Sequence, residues 1–576
     1  MDSRRLLQTL IILLIALIVV WSFFSTHDSP FEDIETVLIN GKIITVDEKT
    51  PEVQALAIKN GRIIAVGSDE EIKRLIDSDT ELIDLEGNLA IPGFIDSHMH
   101  FIGLGESLME LPLAKAKNYD DIVEMVKEAA QKAKPGEWIL GHGWHQEKWN
   151  KIPSPNIDGL PFHDGISSES PDNPVLLSHA SGHLVMANAR AMELAGITKD
   201  TPDPEGGEII RDGNGNPIGV FRENAEDALY AILNNALAKR TPQQAEADRI
   251  KAIEMATAEC LSKGITSVHD AGVSFEKIDL YKKLAETGKL GIRIWAMIGE
   301  NNDNLKARGT EYKLKDIGNH HLTVGGIKRL IDGALGSHGA WLFEPYDDLR
   351  SSTGLNTESI EDLKETAQFA LDNGFQLCTH AIGDRGIREI LDIYKEIFAS
   401  PFGRKNSRWR IEHAQHIHPD DISRFAVMEI IAAMQGVHAT SDGPWVPKRL
   451  GEKRSKESAY VWRKLIDAGV KIANGTDAPV EDVDPLACFY ASVTRRLPDG
   501  TQFYPEQCMT REEALRSYTL NGAYAAHEED IKGSLTPGKL ADITVLSKDI
   551  MTIPAEEILD TEVLYTIVGG KVKFQR

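Results

Sequence analysis

Short apolar runs recur along this chain, and many of them end on an ionisable residue. Eight read as strands: FIDSHMH (94–100), ITSVHDAG (265–272), IRIWAMI (292–298), IKRLIDG (327–333), QLCTHAIGD (376–384), RIEHAQ (410–415), IIAAMQ (430–435) and KIANGTD (471–477). Most of the gaps carry a helical period instead. In EDLKETAQFALDNG (361–374) apolar side chains return every three or four positions until Gly374 stops the pattern. Strands alternating with helices predict a parallel sheet, and eight such units predict a closed (β/α)8 barrel of class α/β, spanning 91–535. Active sites of such barrels lie at the carboxyl ends of the strands, where these runs place histidine, lysine and aspartate.

The two chain ends follow another pattern. VLINGKIITVDEKTPEVQALAIKNGRIIAVGS (37–68) alternates like β structure around Asn40-Gly41 and Asn60-Gly61, and the last forty residues do so around Gly569-Gly570. Asn-Gly supplies the positive φ angles of a two-residue hairpin turn, so a hairpin is expected at each. A lone hairpin is marginal in water. Residues 31–90 and 536–576 are therefore expected to build one composite β-sandwich. About 160 residues separate the first two barrel strands, far more than a helix needs. Residues 104–262 are expected to form an inserted subdomain that shapes access to the site.

Residues 1–30 form a further unit. After Arg4 and Arg5 an apolar run extends from Leu6 to Phe24; as a helix it would measure about 28 Å, close to the hydrocarbon thickness of a bilayer. This predicts a single-pass N-terminal membrane anchor. The arginines would be cytoplasmic and the catalytic part extracytoplasmic. The alternative is a cleaved signal segment, leaving a secreted or periplasmic enzyme.

Composition narrows the partners. Lys+Arg 63 against Asp+Glu 88 gives a net charge of −25, which argues against nucleic acid. The four cysteines, Cys260, Cys378, Cys488 and Cys508, include no C-x-x-C pair, so no thiol redox motif or cysteine-rich zinc site is indicated. Homo-oligomerisation is left open.

The candidate chemistry begins with His98 and His100. Residues i and i+2 of a strand share a face, and neutral imidazoles side by side make a metal site. Lys328 and Asp332 follow at the fourth strand, His380 at the fifth, His413 at the sixth and Asp477 at the eighth. Taken singly, His380 or His413 reads as a core histidine, and Asp477 as a helix cap. Converging, they are about the ligands that two divalent ions need.

PGFIDSHMH, GGIKRLIDGALGSHGAWL, THAIGDRGI, RIEHAQ, HATSDGPWV, IANGTDAPVEDVDPL and GSLTPGKLADITVL occur in this order. As a set they resemble the amidohydrolase superfamily, specifically its amidohydrolase-3, YtcJ-like branch, from about residue 34 to 576. The resemblance implies a barrel with a composite β-sandwich and a long insertion after the first strand; the apolar leader is not part of it. It implies that His98, His100 and Asp477 hold one metal, that His380 and His413 hold the second, and that Lys328 bridges them as an N-carboxylated lysine, with Asp332 the competing bridge. It makes Asp477 the general base and places His183 and Asp442 against substrate. His142, His145, Glu223 and His438 are further polar residues of the segments near the site; His269 reads as a supporting residue, and His416 and His418 as loop residues. The implied activity is hydrolysis of a carbon–nitrogen bond other than a peptide bond, in a small amide, formamide or cyclic amide. Zinc, two ions per chain, is the default for so nitrogen-rich a site. The same site also suits an esterase, lactonase or deaminase, and the alternative without catalysis is a membrane-tethered binding protein.

Overall fold

The computed structural model describes residues 33–204, 206–399 and 406–576. The anchor expected at 1–30, with the membrane placement built on it, lies outside the described residues. Among the described residues no helix is long and apolar enough to cross a membrane.

Eight parallel strands form the centre: β1 (Phe94–Met99), β2 (Ile265–Val273), β3 (Arg293–Ile298), β4 (Leu322–Leu330), β5 (Gln376–Ala381), β6 (Arg410–His413), β7 (Ile431–Gln435) and β8 (Ile472–Gly475). Each pairs with its neighbours in order. The remaining gap is bridged where Asp477 N–H donates to His98 C=O and His100 N–H to Ala478 C=O, both at 2.8 Å. The sheet thus closes into the (β/α)8 barrel that the eight runs predict. The strands are buried almost throughout, as helices on the outer face require. The helix Ile360–Asn373 starts on the Ser359 cap and stops where Gly374 takes φ 66°. The next, Asp384–Phe398, lays Ile387, Ile390, Leu391, Tyr394 and Phe398 against the barrel along one stripe.

Strands from both chain ends pair below the barrel. One sheet orders Arg62–Gly67, Ala55–Lys59, Thr36–Ile39 and Glu81–Asp84; the other joins Lys571–Gln575, Val563–Val568 and Ile543–Leu546 to Leu89–Pro92, Lys42–Ile44 and Glu52–Val53. Leu38, Leu56 and Ile83 of the first share one apolar cluster with Ala90, Ile543 and Ile567 of the second. Asn60-Gly61 (φ 52° and 71°) and Gly569-Gly570 (φ 56° and 76°) make the expected tight turns. Asn40-Gly41 does not. The strands flanking it belong to different sheets, and only Asn40 has a positive φ, 56°. Gly41 serves another need there: a Cβ would lie 2.3 Å from Leu85 Cδ1.

After β1 comes α1 (Phe101–Ser107), and before β2 comes α2 (Pro242–Ser262). They cross so closely that a Cβ on Gly105 would lie 1.9 Å from the Ala252 carbonyl oxygen. Between them stands a separate six-stranded sheet built from segments of Leu111–Glu223. It is fastened over the carboxyl ends of the barrel strands. His142 Nε2–H donates to Pro479 C=O (2.9 Å), and Lys148 pairs with Glu481 (3.1 Å).

Candidate metal centre

Local strain aims the site. Asp477 has φ 62° and His413 φ 69°, left-handed conformations that are uncommon for residues with side chains. Next to Asp477 the chain is held by Asp96 on β1, whose carboxylate accepts Thr476 N–H (3.1 Å) and Thr476 Oγ1–H (2.6 Å). Burial pushes the Asp96 pKa up to about 7.

The sequence-predicted groups converge. His98 Nε2 and His100 Nε2 each lie 3.5 Å from Asp477 Oδ1. On the other oxygen, His413 Nδ1 and His438 Nε2 each lie 3.8 Å from Asp477 Oδ2. The His380 and His413 rings are 4.5 Å apart, those of His98 and His413 4.6 Å. Donor atoms of His98, His100 and Asp477 fall within 4.8 Å of one another, and so do those of His413, His438 and Asp477. His380 stands outside both groups, its Nε2 3.6 Å from Asp332 Oδ1. Asp332 is spent on the backbone: its carboxylate accepts N–H from Gly383 (2.7 Å), Trp341 (2.9 Å) and Ile382 (3.0 Å). Of the two candidates from the fourth strand, Lys328 is the one that lines the cavity.

The chemistry of these donors fits a divalent cation. His98 Nε2, His380 Nε2, His438 Nε2 and Asp477 Oδ1 are buried without a hydrogen-bond partner, an arrangement that is expensive unless something else satisfies them. Burial holds the pKa of His98, His380 and His413 well below the ordinary value, and brings His100 and His438 down to about 4. The imidazoles are therefore neutral, which is the metal-binding form. Burial also raises Asp477 to about 8, against the pull of Lys328, the behaviour of a carboxylate awaiting a compensating positive charge. Lys328 is itself buried, and burial pushes its ammonium pKa down.

Three supports orient these rings. His98 Nδ1–H donates to Glu412, which Arg410 grips with two nitrogens at 2.7 and 2.8 Å. His100 Nδ1–H donates to Ala271 C=O and His413 Nδ1–H to Gln435 Oε1, both at 2.9 Å. For His98 and His100 this leaves Nε2 for the site, whereas the His413 nitrogen held by Gln435 is the one that lies 3.8 Å from Asp477. Sequence reasoning passed over Glu412, Arg410 and Gln435. The available signal was the alternation Arg410, Ile411, Glu412, which puts two charges on one face of a buried strand. His269 has the supporting role expected of it, accepting from Arg410 Nη1 at 2.9 Å.

The site opens into a cavity of about 1190 Å³ walled by both barrel and insertion. His183 and Asp442 line it, with His142, His145, His179 and Glu481. His183 Nδ1 lies 2.9 Å from Glu223 Oε2. Asp442 accepts from Tyr460 Oη–H at 2.6 Å, and burial pushes its pKa up to about 7. His416 is buried apart from the cavity lining, its ring edge-on to Tyr460.

A profile of the Amidohydrolase family matches residues 81–574. The YtcJ protein of Bacillus subtilis (strain 168) is 32% identical over 93% of this chain and 98% of its own length. An N-substituted formamide deformylase of Arthrobacter pascens is 27% identical over 94% of this chain and 98% of its own. Among solved structures, an uncharacterized metal-dependent hydrolase from Pyrococcus horikoshii superposes with a TM-score of 0.72 at 27% identity, covering 90% of this chain and 99% of that one. The barrel, the converging histidines and a family match running nearly the full length agree: this chain belongs to the Amidohydrolase family and is a hydrolase acting on carbon–nitrogen bonds.

Proposed function

We propose that this chain hydrolyses a carbon–nitrogen bond in a small amide, formamide or cyclic amide, using two zinc ions. His98, His100 and Asp477 would hold the first, His380 and His413 the second, and an N-carboxylated Lys328 would bridge them. The observation that carries this reading is the ring of buried donor atoms without hydrogen bonds around Asp477. The Arthrobacter relative, an N-substituted formamide deformylase, supports formamides as the first substrates to try. Burial favours the neutral Lys328 amine, which is the form that takes up carbon dioxide to become an anionic carbamate with two oxygens to share.

When bound, the ions supply Lewis acidity that lowers the pKa of water and polarises an acyl oxygen. The chain's own part is proton transfer, orientation and exclusion of solvent. Asp477 takes the proton of the attacking water and returns it to the leaving nitrogen. Glu412 orients the His98 ring and Gln435 the His413 ring. The insertion walls the cavity, so that these charges act in a medium less polar than bulk water.

The distances support a second reading of one ligand. His438 Nε2 is nearer to Asp477 than His380 is, and groups with it and His413. His438 can serve only if Gln415, 3.1 Å from its Nδ1, presents its oxygen there instead of its nitrogen.

Elemental analysis with a substrate panel tests both. The expected result is about two equivalents of zinc, release of amine from N-substituted formamides, and a kcat about 10²- to 10⁴-fold lower in Asp477→Asn. Preferred turnover of esters, lactones or amines would move the activity to the esterase, lactonase or deaminase class. A full complement of metal in His98→Ala would overturn the centre. Loss of one equivalent in His438→Ala but not in His380→Ala would select the second reading.

A further inference from the structure

His183 belongs to the insertion, in the turn between the strands Val175–His179 and Leu184–Ala187, and its ring lines the cavity. It is tied to Glu223 twice. Nδ1 lies 2.9 Å from Oε2, and Glu223 N–H donates to His183 C=O at 3.1 Å. Glu223 holds a backbone conformation of φ 49° and ψ −134°, which is strained for a residue with a side chain. Its second oxygen, Oε1, reaches the loop after β4. A Cβ on Gly333 would stand 3.3 Å from it and one on Gly339 3.0 Å, and Ser337 Oγ donates to it at 3.4 Å. A strained backbone and two glycines thus set one carboxylate behind one histidine. A salt bridge that merely pinned the insertion to the barrel would require neither.

With Nδ1 committed to Glu223, Nε2 is the nitrogen left for the cavity. The ring lines the same cavity as His100, His380 and Asp477, without belonging to either group of donors. A carboxylate partner favours the imidazolium form, outweighing the burial that opposes it. Nε2 then carries a proton to donate.

We propose that His183 donates a hydrogen bond to the acyl oxygen of the substrate and that Glu223 is the positioning residue that orients it. This rests on the amide-hydrolase reading above. The donor acts where negative charge develops as water attacks, and such a contact raises kcat more than it lowers KM.

The test is a double-mutant cycle on the full-length, zinc-loaded chain: wild type, His183→Asn, Glu223→Gln and the double variant. Two readouts are taken, turnover of an N-alkylformamide and calorimetric binding of formate, whose oxygens mimic the acyl oxygen and which needs no turnover. Each single variant is expected to keep its metal, to lose about 10²- to 10³-fold in kcat with KM changed less than about threefold, and to bind formate about tenfold more weakly. The double variant is expected to be no worse than His183→Asn, and Glu223→Asp to restore part of the loss. Should Glu223→Gln fold poorly, Gly339→Ala crowds Oε1 without removing a charge and is expected to lower kcat in the same direction. Additive losses, wild-type behaviour of Glu223→Gln, or no saturable formate binding by wild type would each overturn the assignment. A wild type that cleaves no formamide while the formate cycle stays coupled would sink the formamide reading and leave this pair assigned.

Discussion

Glu412 stands outside the lining of the site's cavity, yet it holds the His98 ring. Its carboxylate is fully buried between His98 Nδ1 and the Arg410 guanidinium, and Arg410 spends its remaining reach on Ser97 C=O (2.5 Å) and His269 (2.9 Å). Glu412→Gln would leave Arg410 buried without its counter-charge and His98 free to turn over. The expected outcome is metal affinity about 10- to 100-fold weaker and stability lower by about 3–5 kcal/mol, read by chelator competition and urea unfolding. Unchanged affinity would mean that the ring is held by something else. At this scale the sequence exposes those residues that interrupt an apolar pattern at its end, as His98, His100, His380 and Asp477 do. Arg410 and Glu412 stay hidden because charges alternating along a strand read as a solvent face, and only barrel closure turns that face inward. His438 is legible only as a polar residue near the site, because it lies in a short helix, Gly436–Asp442, where a histidine has no reason to read as a metal donor.

Among the elements, the crossing of α1 and α2 is the tightest test of packing. Gly105 lets the two backbones touch, and any Cβ there must displace the Ala252 carbonyl. Gly105→Val is expected to destabilise the chain by about 1–3 kcal/mol, lowering its thermal midpoint, with kcat at permissive temperature little changed. A midpoint unmoved from wild type would show that the helices can part. The barrel strands were legible because each is short, apolar and followed by a helical period, so local pattern and global fold agree. The turn at Asn40-Gly41 was not. Its two residues carry a hairpin signature, but which sheet the next strand joins is decided by partners far along the chain, Leu89 and Ala90 for Lys42–Ile44. The left-handed backbone at Asp477 and His413 was equally unreadable: Asp and His visit it more often than most residues, but still rarely, and the surrounding contacts decide where.

For the molecule as a whole, a buried ion pair ties the C-terminal strands to the barrel. Arg293, at the start of β3, meets Asp542, just before the strand Ile543–Leu546, through Nε at 2.7 Å and Nη2 at 2.9 Å. Burial alone would raise the Asp542 carboxyl; the Arg293 charge outweighs it and holds the pKa below 3.8. A depressed carboxyl contributes stability that is complete above its unfolded pKa and lost as the pH falls through the folded one. Asp542→Asn is therefore expected to cost about 3–5 kcal/mol at pH 7, with the difference from wild type shrinking below about pH 4; urea unfolding at both pH values reads it, and a gap that stays constant would remove the pair from the account. Charge acts at long range as well. The net charge is −25, and Glu106, Glu110, Glu300, Asp303, Glu358 and Glu365 all line the cavity. The lysines and arginines of that lining are Lys148, Lys328 and Arg329, and Lys148 is already paired with Glu481. An anionic substrate must cross this field before it reaches His183 or any metal, whereas a neutral or cationic amide is not repelled. For N-substituted formamides alike in size, kcat/KM is expected to be at least about tenfold lower when the substituent carries a carboxylate, and the gap should narrow as ionic strength rises and the Debye length falls to about 10 Å at 0.1 M salt. Equal values at low salt, or a gap that ignores salt, would place the discrimination in direct contacts at the base of the cavity and not in the field at its mouth.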